Sequence, residues 1–232
     1  MIPSKKIIVA SLTGLALLCV SLPAQKGPGN GGKGGGGNGA LITYINSLPK
    51  ETVSTSEKNL LLHMREEEKL ARDVYTVLFQ VTKVKAFGNI AKAEQQHMDL
   101  IKMMLDRYGI KDPLTSDKVG DFPSATFSSL FQTLVLFGIN SNVHAELVGA
   151  FIEDLDIYDL NQAIKATNNR DINTVWQNLN RGSRNHMRAF YGLLKAQKIL
   201  YPGIILSQAT ILAIVNSAKE TAPVDENGKV LP

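Results

Sequence analysis

Glu94 and His97 stand three residues apart in the run AEQQHMDLIKMML, residues 93–105. Side chains at that spacing leave the same side of a helix and can grip one ion between them. The apolar residues around them, Ile90, Ile101, Met104 and Tyr108, recur in steps of three and four, so the pair occupies the middle of a core-facing stripe. A second stripe, Leu61, Met64, Glu68, Ala71, Tyr75 and Leu78, carries Glu68 at its centre. The neighbouring stripe Leu60, His63, Glu67, Leu70, Val74 and Val77 fits the same period, and periodicity does not choose between Glu67 and Glu68. Residues 146–160 offer two stripes as well. One joins Leu147, Phe151, Asp154 and Tyr158, the other Gly149, Glu153, Asp156 and Leu160, and each puts an acid inside. His186 shares a stripe with Ala189 or Phe190, Leu193 and Leu200. His63 and His144 read as ordinary surface or core residues.

An ionised carboxylate in an apolar interior costs several kcal/mol when nothing compensates it, and several together exceed the stability of a typical domain. The acids must be protonated, paired with cations, or bound to metal. The only inward cations read from the sequence are histidines, and two cannot neutralise four acids. Two divalent ions carry four positive charges, which matches Glu68, Glu94, Glu153 and Asp156, with His97 and His186 as neutral nitrogen ligands. A carboxylate-rich, histidine-poor set suits iron or manganese. Each piece alone has a plainer explanation: a chance Glu-x-x-His, a capping histidine, a solvated acidic face. Their recurrence on four long helices is what points to metal. Tyr75, two turns beyond Glu68, reads as core packing, or as a donor of a hydrogen bond or an electron.

The helices that must position these residues are legible from caps and breakers. Thr55 or Ser56 caps a helix over about 57–83, AFGN breaks it, and a second helix runs over about 89–108 to Gly109. A Pro-, Asp- and Ser-rich loop at 110–126 leads to a short helix at 127–137, and a third long helix spans about 141–166. TNNRD breaks the chain, Asp171 caps a short helix to Leu179, and a fourth long helix covers 181–200. Ser207 caps a last helix to about Ser217. No stretch alternates with period two. The expected fold is all-α, a four-helix bundle with short additional helices.

The 232 residues are 44% hydrophobic and 20% charged, enough for one sizeable core. Without Lys5 and Lys6 the chain has 23 basic against 21 acidic residues, and no Lys/Arg run lies beside aromatics, so no nucleic-acid partner is expected. Lys5 and Lys6 followed by the apolar IIVASLTGLALLCV, residues 7–20, read as a signal peptide over 1–24 ending at Ala24. Leu22 is larger than a cleavage site prefers, which keeps an uncleaved anchor as the alternative. Residues 25–54 are a Gly-rich linker and lead-in, 55–217 the helical domain, and 218–232 a C-terminal tail. The expected protein is exported, and after cleavage it has no cysteine and hence no disulfide. A membrane enters only through a retained signal segment.

Four motifs in order, EEEKLARDVY, NIAKAEQQHM, VGAFIEDLDIYDL and LNRGSRNHMRAF, together resemble the ferritin-like Domain of Unknown Function 2202 family over about residues 55–217. Glu68-x-x-Ala71-Arg72-x-x-Tyr75 followed by Glu94-x-x-His97 is similar to the first two helices of rubrerythrin-like proteins. The resemblance implies a ferritin-like di-metal carboxylate site with Glu68, Glu94, His97, Glu153, Asp156 and His186 as metal ligands, and it prefers Glu153 with Asp156 over Asp154. Ser183 stands where the pattern has a Glu three residues before His186, which leaves the metal pair one carboxylate short. The expected cofactors are iron or manganese ions; a homodimer is compatible, and no electron donor can be named. Two functions follow: redox chemistry on oxygen or peroxide, or a non-catalytic envelope module with a degenerate or absent metal site.

Overall fold

The computed structural model describes residues 39–232. The signal peptide expected at 1–24 and nearly all of the Gly-rich stretch lie outside the described residues. Among them the protein is all-α: α1 Gly39–Ser47, α2 Thr55–Thr82, α3 Lys85–Tyr108, α4 Ala125–Gly138, α5 Asn142–Ala166, α6 Arg170–Ala196 and α7 Gln208–Asn216. Extended pairing is confined to isolated bridges, such as the antiparallel one between Val224 and Val230.

Two-residue and three-residue connections fold α2 back on α3 and α5 back on α6, giving two antiparallel pairs. The pairs join through α2 against α5 and α3 against α6, while α4 lies on both α2 and α5. Apolar side chains form two clusters at opposite ends of the four long helices. One holds Tyr75, Phe87, Phe151 and Phe190; the other holds Leu61, Met104, Leu160 and Trp176. Glu68 on α2, Glu94 and His97 on α3 and His186 on α6 fall between these clusters, and on α5 Glu153 and Asp156 sit among the last members of the first, Ile152, Leu155 and Ile157, before Leu160 of the second. A polar layer therefore lies inside the protein, walled by apolar packing on both sides.

Ser54 starts α2. Its hydroxyl accepts from the Glu57 backbone N–H at 3.2 Å, and the Glu57 carboxylate accepts from the Ser54 N–H at 2.9 Å, a reciprocal cap one residue before the expected position. The other Glu57 oxygen accepts from the N–H groups of Asn168 and Asn169, both at 3.1 Å, which pins the α5–α6 turn to the start of α2. Ser54→Ala is expected to cost about 1 kcal/mol, the usual worth of such a cap. A thermal melt should then shift down by roughly 3 °C for a domain of this size.

Four readings of the sequence need correction. AFGN does not break the chain: the reversal is at Lys83, whose φ of 58° closes α2, and α3 is already helical from Lys85. The short helix to Leu179 and the fourth long helix are one continuous α6. Its Asn178, Asn180, Gly182 and Ser183 are poor helix formers, but tertiary contacts occupy each of them and override propensity. Asp171 is not its cap; it is buried and accepts from Arg107 and Tyr108, each at 2.8 Å. Apart from these corrections, α1 lies in the lead-in, with its Leu41 and Ile45 buried in the Trp176 cluster. Finally, histidines are not the only inward cations. Lys69 is fully buried, but Asp73 accepts from its Nζ at 2.5 Å, so its charge is neutralised away from the polar layer.

Residues 218–232 pack back on α6. The Asn178 side chain bonds the Val224 backbone in both directions, Glu220 pairs with Arg184 and Arg188, and Glu226 accepts from Tyr44 at 2.6 Å and Arg170 at 2.7 Å.

Candidate metal centre

Four helices deliver the polar layer. α2 brings Glu68, α3 brings Glu94 and His97 one turn apart, α5 brings Glu153, and α6 brings His186; none is more than 8% exposed. Glu94 sits in the middle with one oxygen turned to each histidine. Its Oε2 is 2.8 Å from His97 Nδ1 and its Oε1 is 2.9 Å from His186 Nδ1. Each histidine then meets a second glutamate through the same nitrogen: His97 Nδ1 is 3.2 Å from Glu68 Oε2, and His186 Nδ1 is 3.5 Å from Glu153 Oε2. The two imidazoles stack with centroids 5.6 Å apart. The result is two overlapping triads, Glu68–Glu94–His97 and Glu94–Glu153–His186, each with its donor atoms mutually within 4.8 Å.

These contacts are close, yet poorly satisfied. Among the described residues, Glu68 Oε1, Glu94 Oε2, Asp156 Oδ1 and His186 Nδ1 are buried without a well-directed hydrogen bond. Buried polar atoms left in that state cost free energy, and ligands converging on a shared ion are a recognised reason to retain them. The donor set of three glutamates and two imidazoles, with electron pairs directed inward, fits a pair of divalent ions.

Without metal the layer is electrostatically frustrated. Burial pushes the Glu68 carboxyl up to about 8 against the pull of His97, with Glu94 and Glu153 pushing the same way. Burial likewise raises Glu153 to about 7, opposed by His186 and reinforced by Glu94. Glu94 goes the other way: burial works to raise it, but the His186 and His97 rings on either side hold it well below the usual carboxylate range. Burial opposes the charging of His186, yet Glu94 and Glu153 lift it to about 10.

Supporting contacts fix the ligand positions. Tyr75 donates to Glu153 Oε1 at 2.6 Å, so the phenol is both core packing and a hydrogen-bond donor. Its ring stacks at a tilt on Phe87 and Phe190, with centroids 5.8 and 5.2 Å away, and this closes the layer on one side. Asp156 belongs to neither triad. Ser183, fully buried, donates to its Oδ2 at 2.5 Å and leaves Oδ1 free. Ser183 thus faces the site and orients an acid there. Asp154 turns away: it accepts from Tyr201 and from the N–H groups of Ile204, Ile205 and Leu206, anchoring the chain before α7.

Glu67 and Glu68 are both buried, because α2 packs on α3, α4 and α5 at once. His63 is not an ordinary core residue; it meets Glu67 and Asp159. The signal was present in the stripe that joins His63 to Glu67. His144, by contrast, contacts Ser141 and packs on Phe137 near the surface. Gly182 carries a requirement the sequence does not display. A Cβ there would lie 2.5 Å from His97 Nε2, so only glycine lets α6 approach the imidazole.

The same arrangement of elements exists in a known structure. The protein is similar to the crystal structure of hypothetical protein MJ0754 from Methanococcus jannaschii, with a TM-score of 0.74 and 47% identity over 75% of this chain and 99% of that one. At the sequence level it is 47% identical over 180 residues to the uncharacterized protein MJ0754 of Methanocaldococcus jannaschii, covering 78% of this chain and 97% of the relative. The pattern of the uncharacterized protein domain DUF2202 matches residues 57–218, which takes in both triads and the helices that build them, and the chain belongs to the DUF2202 family.

Proposed function

We propose that this is an exported ferritin-like protein that holds two iron or manganese ions between its four long helices and acts on oxygen or peroxide. The observation that carries the reading is the division of Glu94 between two histidines, each with its own second glutamate. Glu68 and His97 would hold one ion, Glu153 and His186 the other, with Glu94 shared and the free Oδ1 of Asp156 as a further ligand. The motif order and the two antiparallel helix pairs support the ferritin-like assignment, and the apolar run after Lys5 and Lys6 supports export.

Iron or manganese bound there supplies one-electron redox chemistry toward oxygen or peroxide. The chain's own residues do the rest. Burial, reinforced by Glu153 and Glu94, keeps the Tyr75 phenol protonated, so it serves as a fixed donor that orients Glu153. Phe87 and Phe190 exclude water on that side, and Ser183 fixes the rotamer of Asp156.

Mn(II) titration of the metal-free protein is expected to lose two equivalents in Glu94→Gln relative to wild type. An unchanged titration would overturn the assignment. Ser183 favours a second reading, a metal-binding module without turnover, because a carboxylate is missing on the His186 side. Ser183→Glu should tighten the weaker ion by about tenfold or more, the range by which changes around a metal alter affinity. Peroxide consumption by the loaded proteins separates the readings: turnover that rises with this substitution supports the redox site, and tighter binding without turnover in either protein supports the module.

A further inference from the structure

A third acid–histidine group lies outside the two triads. His63 Nε2 is 3.2 Å from Glu67 Oε2 and 3.5 Å from Asp159 Oδ2, and the three donor atoms lie within 4.8 Å of one another. Glu67 is 2% exposed and Asp159 5%. Among the described residues neither Glu67 oxygen receives a hydrogen bond, nor does Asp159 Oδ1, and His63 Nε2 has no well-directed partner. Two buried carboxylates beside one imidazole leave excess negative charge even when the ring is protonated. A doubly charged cation with a neutral ring leaves none.

We propose that His63, Glu67 and Asp159 form a separate divalent-cation site beside the inner pair. Two hard oxygens and one nitrogen suit Mn(II), Fe(II) or Zn(II). Its place in the fold gives it a role the inner triads cannot have. Glu67 adjoins Glu68 on α2, and Asp159 follows Asp156 by one turn on α5, so the group continues the polar layer outward. The His63 side chain, resting on the Phe127 ring, is 16% exposed against 10% for His97 and His186, and Asp159 is 5% exposed against 1–2% for Glu68, Glu94 and Glu153, so this end of the layer lies nearest solvent. An ion here exchanges faster than one held by the buried triads, as an entry station for the interior requires.

The inference does not depend on redox activity or on a filled inner pair. The test uses Mn(II) alone, with stoichiometry by equilibrium dialysis and Mn anomalous scattering from crystals of the loaded protein. Wild type is expected to bind three ions per chain, Glu67→Gln two, and Glu94→Gln one, with an anomalous peak at His63 in wild type and Glu94→Gln. Gln at 67 supplies its own N–H donors to the buried acids, so this variant should fold at least as well as wild type. Two ions in wild type, none in Glu94→Gln and no peak at His63 would overturn the outer site and leave the inner assignment standing. Loss of a peak at His63 on Glu67→Gln with both inner peaks retained supports it, whatever the inner ions do chemically.

Discussion

Chelation of the metal-loaded protein at pH 8 is expected to lower its melting temperature by roughly 20 °C, from about 4 kcal/mol per ion at a thousandfold excess over Kd and 2–4 °C per kcal/mol for this size. At pH 5 the drop should be far smaller, because both sides of the comparison move. In the metal-free protein Glu68 titrates near 8 and Glu153 and Glu67 near 7, above the ordinary 4.5, chiefly because burial penalises their charge. The unfolded chain ionises them from about pH 4.5 upward, so folded stability falls as pH rises through that window. His186 adds to the trend. Burial opposes its charging, but Glu94 and Glu153 raise it to about 10, so the stability it contributes is complete below 6.5 and is lost toward 10. Glu94 opposes the trend only in acid: despite burial, the two histidines hold it low, and its contribution disappears below the ordinary carboxylate range. The metal-free protein should therefore be most stable near pH 5. Metal competes with protons for the same atoms, so its binding strengthens as pH rises. Calorimetric melts with and without chelator at the two pH values test this. Coincident curves at pH 8 would exclude tightly bound metal in the layer.

Gly182→Ala should damage the site more than any surface change on α6. The new Cβ would lie 2.5 Å from His97 Nε2 and 2.7 Å from Cε1, both atoms of a rigid buried ring. Either the imidazole rotates off Glu68 and Glu94, or the two helices separate. Overpacking of this kind costs about 1–3 kcal/mol. Loss of the His97 donor should also weaken the Glu68–Glu94–His97 ion by about a hundredfold, the upper end for disturbed ligand orientation. Gly192→Ala on the same helix is the control. Nothing lies within 4 Å of a Cβ there, so it should gain up to about 1 kcal/mol of helix propensity and leave metal binding unchanged. Equal Mn(II) affinity in the two variants would show that His97 does not need the close approach of α6.

The periodicity of α3 was enough to place Glu94 and His97 inside, because apolar neighbours three and four residues away leave those positions no other side of the helix; on α2 it left Glu67 and Glu68 both open, and packing against three helices buries both. The cap at Ser207 and the stop at Gly109 were also local, set by a side-chain oxygen and a left-handed glycine. The α5 acids were not legible in the same way. That helix is buried nearly all round, so no stripe distinguishes an inner from an outer face, and every acid had to find a partner in another part of the chain. Glu153 met Tyr75 and His186, Asp154 met Tyr201, Asp156 met Ser183, and Asp159 met His63. The continuity of α6 was hidden for a related reason. Asn178, Asn180, Gly182 and Ser183 look like a break when only propensity is weighed, yet the tail, Asn161, His97 and Asp156 each occupy one of them. Local chemistry determined where helices begin, end and carry charge inward. Which buried charge meets which partner depended on the approach of segments far apart in the chain, and only the packed structure decided it.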